Sequence, residues 1–546
     1  MTPPTDTVDV LVWGGGTGGV AAAIQAARGG ARTLLLTPGA WLGGMVSAAG
    51  VCCPDGNELT PWQTGLWGAF LRELARREPE GLDHNWVSCF GYRPTTAEAI
   101  LQDWVRALPN LEWWPQSRLL EVERQGARIS AVQLVRVGEA GNERRRVACT
   151  LVIDGSDRGD LLPLAQAPFR LGWEAQEQWG EPSAPSRQRL ETEPFFRQQP
   201  VQSPTWVVMG QLASDQLQPD PARGIDPAGT PTLPPPFEQA CAAFGLERTI
   251  SYGRLPGGLV MLNWPLHGND WHDGLERAFS GDPQAETDLY REMQAHSLRF
   301  ADVLEQASGG WLQRGAGFPA QAGSPSPSLA VMPYWREGRR LVGLHTVIEQ
   351  ELLPMAPGAS IAALPVDASG ELQSIAIGNY ANDHHYPGPD WPLAPKSCRW
   401  GGRWSGTPFC LPYGALVSAA VENLLAADKG TSVSHMANGA TRLQPLILNT
   451  GQAAGAAAAL CIGRGCQPAE LPVRALQETL IRDPLAPSGV APLWDTPWHH
   501  PAWAERQLAV VKDPSRLTTA GSLDGAPVDL DPSHAPVEPG EQLWQG

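Results

Sequence analysis

VDVLVWGGGTGGVAAAIQAARGGARTLLLTPGAWLGGM, residues 8–45, is the stretch that decides the fold of this chain. Residues 8–13 form a short apolar run, which predicts a buried parallel strand. An Ala-rich segment follows at once and predicts a helix from about Gly18, ended by two glycines, and residues 32–36 predict a second strand. The chain therefore begins with a strand, a tight turn, a helix and a strand.

The turn in this unit has the G-x-G-x-x-G spacing, formed by Gly14, Gly16 and Gly19. Such a turn lets the backbone approach a pyrophosphate, whose charge is stabilised by free NH groups at the start of the helix. The spacing alone is weak evidence, because a glycine-rich turn can serve packing only. Within a complete strand, turn, helix and strand unit it predicts nucleotide binding.

Thr37 occupies the position, at the tip of the second strand, where this fingerprint normally has an Asp or Glu that binds the ribose hydroxyls. A hydroxyl group can still bond a ribose, but more weakly than a charged acceptor. This departure leaves open which nucleotide binds and how tightly.

Composition narrows the class of protein. The 546 residues are too many for one core and predict two or more lobes. The 40 basic and 57 acidic residues give a formal net charge of −17, which argues against nonspecific binding to nucleic acid or to an anionic membrane. We find neither an apolar run of about 18 residues nor the pattern of a signal peptide, so we expect a cytoplasmic protein.

Cysteine usage also agrees with a cytoplasmic protein. Nine cysteines, an odd number spread over a long chain, suit free thiols better than a disulfide framework. No pair of them has the spacing of a zinc site. Asp383, His384 and His385 lie side by side, but two neighbouring imidazoles without a third spaced ligand are poor evidence for a metal. We therefore expect no metal.

Polar residues at two further turns are candidates for the site. Residues 42–59 are rich in glycine and small residues, which suits a backbone lying against a planar ligand. Three residues of this stretch, Asp55, Asn57 and Glu58, are polar enough to reach a pocket, although a solvated turn explains them equally well. Asp154, Gly155 and Asp160 follow a predicted strand over 147–153, where a helix cap and a ligand site are equally good explanations.

The middle of the chain predicts a second, mixed lobe over about 169–390. It has strand-like runs, a helical stretch over 282–304 and an irregular Pro-rich segment over 219–236. Ionisable groups among aromatic residues mark 264–270, 333–340 and 380–386. Arg336 and His385 are the candidates here, although charge runs usually form surface ion pairs and a loop histidine is usually structural.

The end of the chain predicts a return to the first lobe. A short strand near Leu424 is followed by residues 432–442, SVSHMANGATR, a predicted polar loop that contains His435 and Arg442. A helix of small residues is predicted to begin near Asn449, with Gly451 and Gln452 at its start. Residues 486–546 are rich in Pro and Trp, and 525–546 are predicted to be disordered.

These motifs together resemble the flavin-dependent oxidoreductases with the glutathione-reductase-type FAD fold. The resemblance rests on VWGGGTGG, WLGGM, VIDGSDRGDL and NTGQAAGAAAAL, which cover about a third of the chain in the expected order. PYWREGRR and GNYANDHH are also similar to a bacterial subgroup likened to xanthan lyase. The resemblance implies an α/β fold, a Rossmann-like FAD-binding domain with an inserted mixed α+β substrate domain.

The resemblance also implies domain bounds and cofactor contacts. The FAD-binding domain would comprise 1–168 and 401–485, the inserted substrate or cap domain 169–400, and a C-terminal extension 486–546. FAD would be held by residues spread over the motifs, namely Gly14, Gly16, Gly19, Thr37, Gly43, Gly44, Met45, Asp154, Gly155, Gly451 and Gln452. Gly155 and Ser156 stand where the family motif usually has Ala and Thr. The start of the last helix would stabilise negative charge on the flavin.

Function follows from the cofactor as a set of hypotheses. FAD would exchange a hydride with a small organic substrate, in either redox direction, while a histidine takes the proton. An arginine would anchor a carboxylate or stabilise an enolate-like transition state. His385 and His435 are the candidate bases, and Arg336 and Arg442 the candidate anchors. A nonredox role for FAD, in a hydratase, lyase or isomerase, and a noncatalytic nucleotide-binding protein are the alternatives. The sequence has no second G-x-G-x-x-G fingerprint that would bind a nicotinamide cofactor, so the electron acceptor is unknown.

Overall fold

The computed structural model describes residues 5–138, 141–213, 231–265, 267–319, 326–387 and 406–523. Most of the Pro-rich segment 219–236 and all of the predicted disordered tail 525–546 lie outside these ranges.

The described chain contains both strands and helices, numbered here in chain order. The strands are β1 Thr5–Trp13, β2 Thr33–Leu36, β3 Leu111–Trp114, β4 Ser117–Gln125, β5 Arg128–Gly138, β6 Gly141–Asp154, β7 Phe169–Arg170, β8 Val208–Leu212, β9 Leu259–Leu262, β10 Leu312–Arg314, β11 Arg340–Leu341, β12 Ser374–Tyr380, β13 Thr407–Pro412 and β14 Leu424–Ala426. The helices are α1 Thr17–Arg28, α2 Gly65–Arg77, α3 Pro94–Arg106, α4 Leu161–Leu164, α5 Gln176–Trp179, α6 Arg187–Thr192, α7 Phe195–Gln198, α8 Gly245–Ser251, α9 Pro283–Ala307, α10 His435–Thr441, α11 Gln444–Arg464, α12 Val473–Ile481 and α13 Trp503–Lys512.

A seven-stranded sheet forms the centre of the protein, in the order β3-β2-β1-β6-β5-β4, with β14 also paired to β6. β3, β2, β1, β6 and β14 are parallel, and β4 and β5 are antiparallel additions. β6 is long enough to pair with β5 along its first part and with β14 at Val152–Asp154. The carboxyl ends of β1, β6 and β14 therefore meet at one edge, beside the start of α1. This mixed α/β sheet is typical of Rossmann-like dinucleotide-binding domains.

β3, β4 and β5 follow one another in the chain, but only β4 and β5 lead antiparallel into β6. β3 instead lies at the opposite edge of the sheet, parallel to β2. The tertiary structure decides this difference, because α3 crosses over the sheet and delivers β3 to the edge beyond β2.

α1 and α11 pack closely because both are built from small residues. A Cβ on Gly451 would overlap the carbonyl oxygen of Gly18, and one on Gly455 would overlap that of Ala22. α11 begins at Gln444, with Pro445 in its first turn, so the predicted start near Asn449 is wrong. Gly451 and Gln452 consequently lie inside the helix, about two turns from its N-terminus.

The predicted polar loop over 432–442 is also wrong, because α10 occupies most of it. Ser434 caps this helix by accepting a hydrogen bond from the Ala437 amide at 2.9 Å, and every residue of α10 is buried. The polar residues in this stretch cap the helix or form hydrogen bonds in the core, and they are not solvated.

The remaining elements form smaller sheets around the central one. β8, β9 and β10 make an antiparallel sheet that α9 packs against, and β12 pairs antiparallel with β13. The end of β12 leads into residues 381–387, which contribute several side chains to the candidate site. Among helices of the described chain, α11 is long and apolar enough to cross a membrane, but 78% of its most apolar window is buried inside the protein.

Candidate functional site

The glycine turn between β1 and α1 lies at the carboxyl edge of the sheet. Gly14 has φ +98°, and a Cβ there would overlap the backbone of Gly155 and Ser156. A Cβ on Gly18 or Gly19 would overlap neighbouring backbone as well. Glycine is thus required here for the close approach of three chain segments.

The NH groups of this turn provide a test of whether a dinucleotide fits. Gly14 donates to the carbonyl of Leu36, and Gly18 donates to the carboxylate of Asp428 at 2.7 Å. The NH groups of Gly15 and Gly16 have no acceptor within the described chain. Two free amides at the start of a helix are the donor set that a pyrophosphate needs, so the turn fits one.

Gly43 and Gly44 fold over the same turn, as the second glycine motif predicts. Gly43 donates to the carbonyl of Gly15 at 2.8 Å and accepts from the Thr17 hydroxyl at 2.7 Å. A Cβ on Gly44 would come within 2.9 Å of the Cα of Gly16. Met45 follows them and is fully buried. The two glycine motifs therefore form one structural unit.

Thr37 lies at the end of β2, where a ribose-binding acid is normally found. Its hydroxyl donates to the carbonyl of Gly39 at 2.7 Å and accepts from the indole NH of Trp113 at 3.0 Å. These bonds use the proton and one lone pair of the hydroxyl group. Thr37 fixes the strand end and supplies no charge for a ribose.

Asp154 and Gly155 follow β6 and face the glycine turn. Asp154 accepts from the amide and hydroxyl of Ser156 and from the Leu161 amide, and burial raises the pKa of its carboxyl group to about 7. A Cβ on Gly155 would overlap Gly19, which explains a glycine where the family motif usually has alanine. Asp154 is thus a capping residue that shapes the turn.

A buried ion cluster beside the α1 N-terminus was missed by the sequence analysis. Lys429 contacts the carboxylates of Asp157 and Asp428, and its own side chain is 0% exposed. Asp428 follows β14 as Asp154 follows β6, and this shared position at a strand end is the signal that could have revealed it. The cluster puts one cation and two carboxylates next to the pyrophosphate-binding turn.

A small cavity opens at the N-terminus of α11. Leu443 and Gln444, at the start of the helix, line it, and so do three of the four predicted catalytic residues. These three are Arg336, His385 and Arg442. The helix dipole gives this end of α11 a partial positive charge, which favours an anionic group in the cavity.

Five charged side chains along the cavity form one continuous network. Arg336 contacts Asp270 at 3.0 Å, Asp270 contacts His385 Nδ1 at 3.1 Å, and His385 Nε2 contacts Asp383 at 2.8 Å. Asp383 in turn contacts Arg442 at 3.0 Å. Both ring nitrogens of His385 therefore face carboxylates.

The charges of this network hold its carboxylates ionised. Burial alone raises the pKa of Asp270, but Arg336 and His385 outweigh it and lower this pKa to about 2. Burial opposes ionisation of Asp383 too, and His385 and Arg442 bring its pKa below the ordinary range. His385 has no free ring nitrogen for its predicted role as a base, because both nitrogens face carboxylates.

Several polar atoms of the cavity residues are buried and lack a hydrogen-bond partner within the described chain. The donors are the Nε groups of Arg336 and Arg442, and the acceptors are Asn263 Oδ1, Gln444 Oε1 and Asp55 Oδ1. Buried polar groups are rarely left unpaired. A polar ligand in this cavity would pair them.

His435 lies outside this cavity, and its catalytic role stays a prediction. Its Nδ1 contacts Glu337 at 2.8 Å, its Nε2 bonds the Tyr386 hydroxyl, and its ring packs on Trp173. Burial lowers its pKa well below the ordinary value, and burial raises that of Glu337 to about 7. His435 belongs to the buried support of the site.

Gly451 and Gln452 also differ from their predicted place. The Gln452 side chain accepts from the Leu66 amide at 2.8 Å and donates to the carbonyl of Ala486 at 2.7 Å. Gly451 allows α11 to approach α1. Arg442, Leu443 and Gln444 occupy the helix start that the sequence analysis assigned to these two residues.

The sheet, the glycine turn with free amides and the cavity at a helix N-terminus define a dinucleotide-binding α/β protein. The FAD dependent oxidoreductase family model matches residues 9–480, and the chain belongs to this family. FAD is its cofactor, and the turn at Gly14–Gly19 fits the pyrophosphate of FAD. No curated protein matches the sequence.

Several solved structures are similar to part of the chain. p-Nitrophenol 4-monooxygenase PnpA from Pseudomonas putida DLL-E4 is 13% identical, covers 38% of this chain and 47% of its own, and has a TM-score of 0.23. GidA from Aquifex aeolicus is 16% identical, with 31% and 32% covered and a TM-score of 0.23. The flavin-dependent brominase Bmp2 is 13% identical, with 43% and 48% covered and a TM-score of 0.25. The chain spans less than half of each of them.

Proposed function

We propose that this FAD-dependent oxidoreductase transfers a hydride between FAD and a small organic substrate that carries an anionic group. The observation that supports this most is the pair of buried arginines, Arg336 and Arg442, which line the cavity with unpaired Nε groups. A carboxylate substrate would accept from them, and buried charged hydrogen bonds of this kind are among the strongest.

Each group of the cavity has a part in this reaction. FAD supplies the redox chemistry as a hydride acceptor or donor. Arg442 and the N-terminus of α11 attract and orient the anionic end of the substrate. The contacts of His385 with Asp270 and Asp383 keep the charged network rigid, so that little reorganisation is needed during the reaction.

The finer features predicted from the sequence belong to this proposal. They are the glutathione-reductase-type arrangement of the FAD domain, the likeness to xanthan lyase, the inserted substrate domain over 169–400 and the flanking bounds 1–168, 401–485 and 486–546. We also propose a cytoplasmic protein that acts on a small molecule, passes electrons to an unknown acceptor and binds neither nucleic acid nor membrane. The high net negative charge supports the last point.

An anaerobic screen of the purified yellow holoenzyme tests the proposal. Oxidised enzyme is mixed with hydroxy acids, amino acids and alcohols, and dithionite-reduced enzyme is mixed with the matching oxo compounds. Each acid is paired with its uncharged amide, for example lactate with lactamide. We expect the visible flavin band to bleach or recover with an acid and not with its amide. Product formed without any change in the band would contradict hydride transfer and favour a nonredox role.

Arg442→Gln adds a test of the anchor. Losing a buried charged hydrogen bond of about 1.5–3 kcal/mol should raise the KM for the acid roughly 10- to 100-fold. Arg474→Gln is the control, because Arg474 forms an exposed ion pair with Glu478 on α12. An unchanged KM in Arg442→Gln would contradict the anchoring role.

A further inference from the structure

Two aspartates, Asp55 and Asp383, line the cavity, and a third, Asp270, belongs to the charged network beside it. Asp270 and Asp383 each contact His385 and an arginine. Asp55 forms no ion pair within the described chain, and its Oδ1 is buried without a hydrogen-bond partner. Asp55 is therefore the cavity carboxyl group that is not committed to the charged network.

The groups that face Asp55 favour its uncharged form. Burial raises its pKa well above the ordinary value, and Glu58 and Asp383 raise it further. Arg442 opposes them and is outweighed. The other titratable neighbours, Cys53, Tyr252 and Tyr380, are buried groups whose own pKa values are raised, so they bring no positive charge.

The backbone on both sides of Asp55 is fixed. The Ser88 hydroxyl bonds the carbonyl of Pro54, on one side. On the other side, Asn57 donates its amide NH to Asn379 at 3.3 Å and its side-chain NH₂ to Ile377 at 2.9 Å, both in β12. Asp55 is thus held at the cavity wall by its neighbours, while its Oδ1 has no hydrogen-bond partner within the described chain.

We propose that Asp55 is the catalytic acid of this site, an uncharged carboxylic acid that gives its proton to the bound substrate. The proposal rests on the proposed function. When an oxo compound is reduced, its carbon gains the hydride from FAD and its oxygen gains the proton of Asp55, so the C=O double bond becomes a CH–OH group. The two electrons come with the hydride. Asp55 is left as a carboxylate and regains a proton from water.

The pH dependence follows from this assignment. Reduction needs protonated Asp55, so its rate is highest at low pH and falls as the pH rises through the raised pKa. In the opposite direction the ionised carboxylate takes the hydroxyl proton, so oxidation becomes faster over the same range.

Infrared spectroscopy tests the protonation state without any substrate. The native holoenzyme minus Asp55→Asn difference spectrum at neutral pH should contain the C=O stretching band of a carboxylic acid. The difference is needed because Asp154 and Glu337 also have raised pKa values. Asp288→Asn, on the exposed face of α9, is the control and should leave the band in place. Absence of the band from the native difference spectrum overturns the proposal.

Single-turnover kinetics test the proton transfer. Dithionite-reduced holoenzyme is mixed with the oxo compound found by the screen, beginning with pyruvate, and flavin reoxidation is followed against pH. Asp55→Asn should be slower by roughly 10²- to 10⁴-fold and lose the pH dependence, with partial recovery in Asp55→Glu. A native rate in Asp55→Asn, with the same flavin content, overturns the proposal. If the screen finds no substrate but the acid band is present, the result counts against the proposed reaction and not against the protonated Asp55.

Discussion

Removing the buried cation Lys429 should destabilise the protein far more than removing an exposed one. Lys429 lies between Asp157 and Asp428, and neither its side chain nor that of Asp428 is exposed. Lys429→Met keeps the length of the side chain but leaves two buried carboxylates without their cation. Breaking a buried ion pair in this way costs about 3–5 kcal/mol.

This cost converts into a modest shift of the melting temperature, because the chain is long. With an unfolding entropy of about 2 cal/mol/K per residue, we expect Tm to fall by about 3 to 4 °C in a calorimetric scan. The loss should shrink as the pH is lowered, because burial already raises the pKa of Asp157 and a protonated Asp157 needs no cation. The flavin content should fall too, since the bound pyrophosphate adds negative charge next to the same carboxylates.

Two further variants make this test specific. Arg474→Met removes a cation from an exposed pair, for which we expect about 0.5 kcal/mol or less. The double variant Lys429→Met with Asp157→Asn should regain part of the lost stability, because only Asp428 then remains, and it still accepts from the Gly18 amide. A decrease in Lys429→Met no larger than in Arg474→Met would refute the reasoning.

Three more predictions concern the contact between α1 and α11, the buried His435 and the loss of stability at low pH. Gly451→Val should lower the free energy of unfolding by several kcal/mol and release FAD, because the valine side chain would overlap Gly18. Gly463→Ala has open space at its Cβ and should stabilise α11 by up to about 1 kcal/mol. Urea unfolding measures both changes. His435→Gln should lower Tm and leave turnover in the screen assay near native, since the ring lies outside the cavity; a large loss of turnover at full flavin content would contradict this. Asp270, whose pKa is lowered to about 2, contributes stability above its unfolded pKa of about 4, roughly 2 kcal/mol, which is lost as the pH falls from about 4 to 2. A plot of the urea midpoint against pH should show this loss of stability in the native protein and a smaller loss in Asp270→Asn.

The local elements that the sequence predicted correctly are those with a strong pattern over adjacent residues. β1, the glycine turn, α1 and β2 follow one another within about 30 residues, and each has its own signal in apolar periodicity or glycine spacing. α9 was also predicted, over about 282–304, and the structure shows Asp282 as its N-cap. α10 and the true start of α11 were missed, because a capping Ser434 and a Pro445 in a first turn look like loop residues when read singly.

The candidate site was predicted by residue type and only partly by role. Arg336, His385 and Arg442 do line one cavity, although they are far apart in the chain. Their partners Asp270 and Asp383 could not be assigned, since nothing local indicates which carboxylate meets which cation. Asp55 had equal weight as a solvated turn residue, and only its buried, unpaired oxygen distinguishes it.

The sequence by itself determined the FAD-binding unit, because the strand, the glycine turn and the helix are contiguous and each glycine has a local steric reason. The tertiary structure alone decided the chemistry of the cavity. Whether His385 has a free ring nitrogen or lies between two carboxylates, and whether Asp55 is charged, depend on burial and on groups brought together from residues 55, 270, 336, 383 and 442. Electrostatic energies vary with distance and solvation, and the fold sets both.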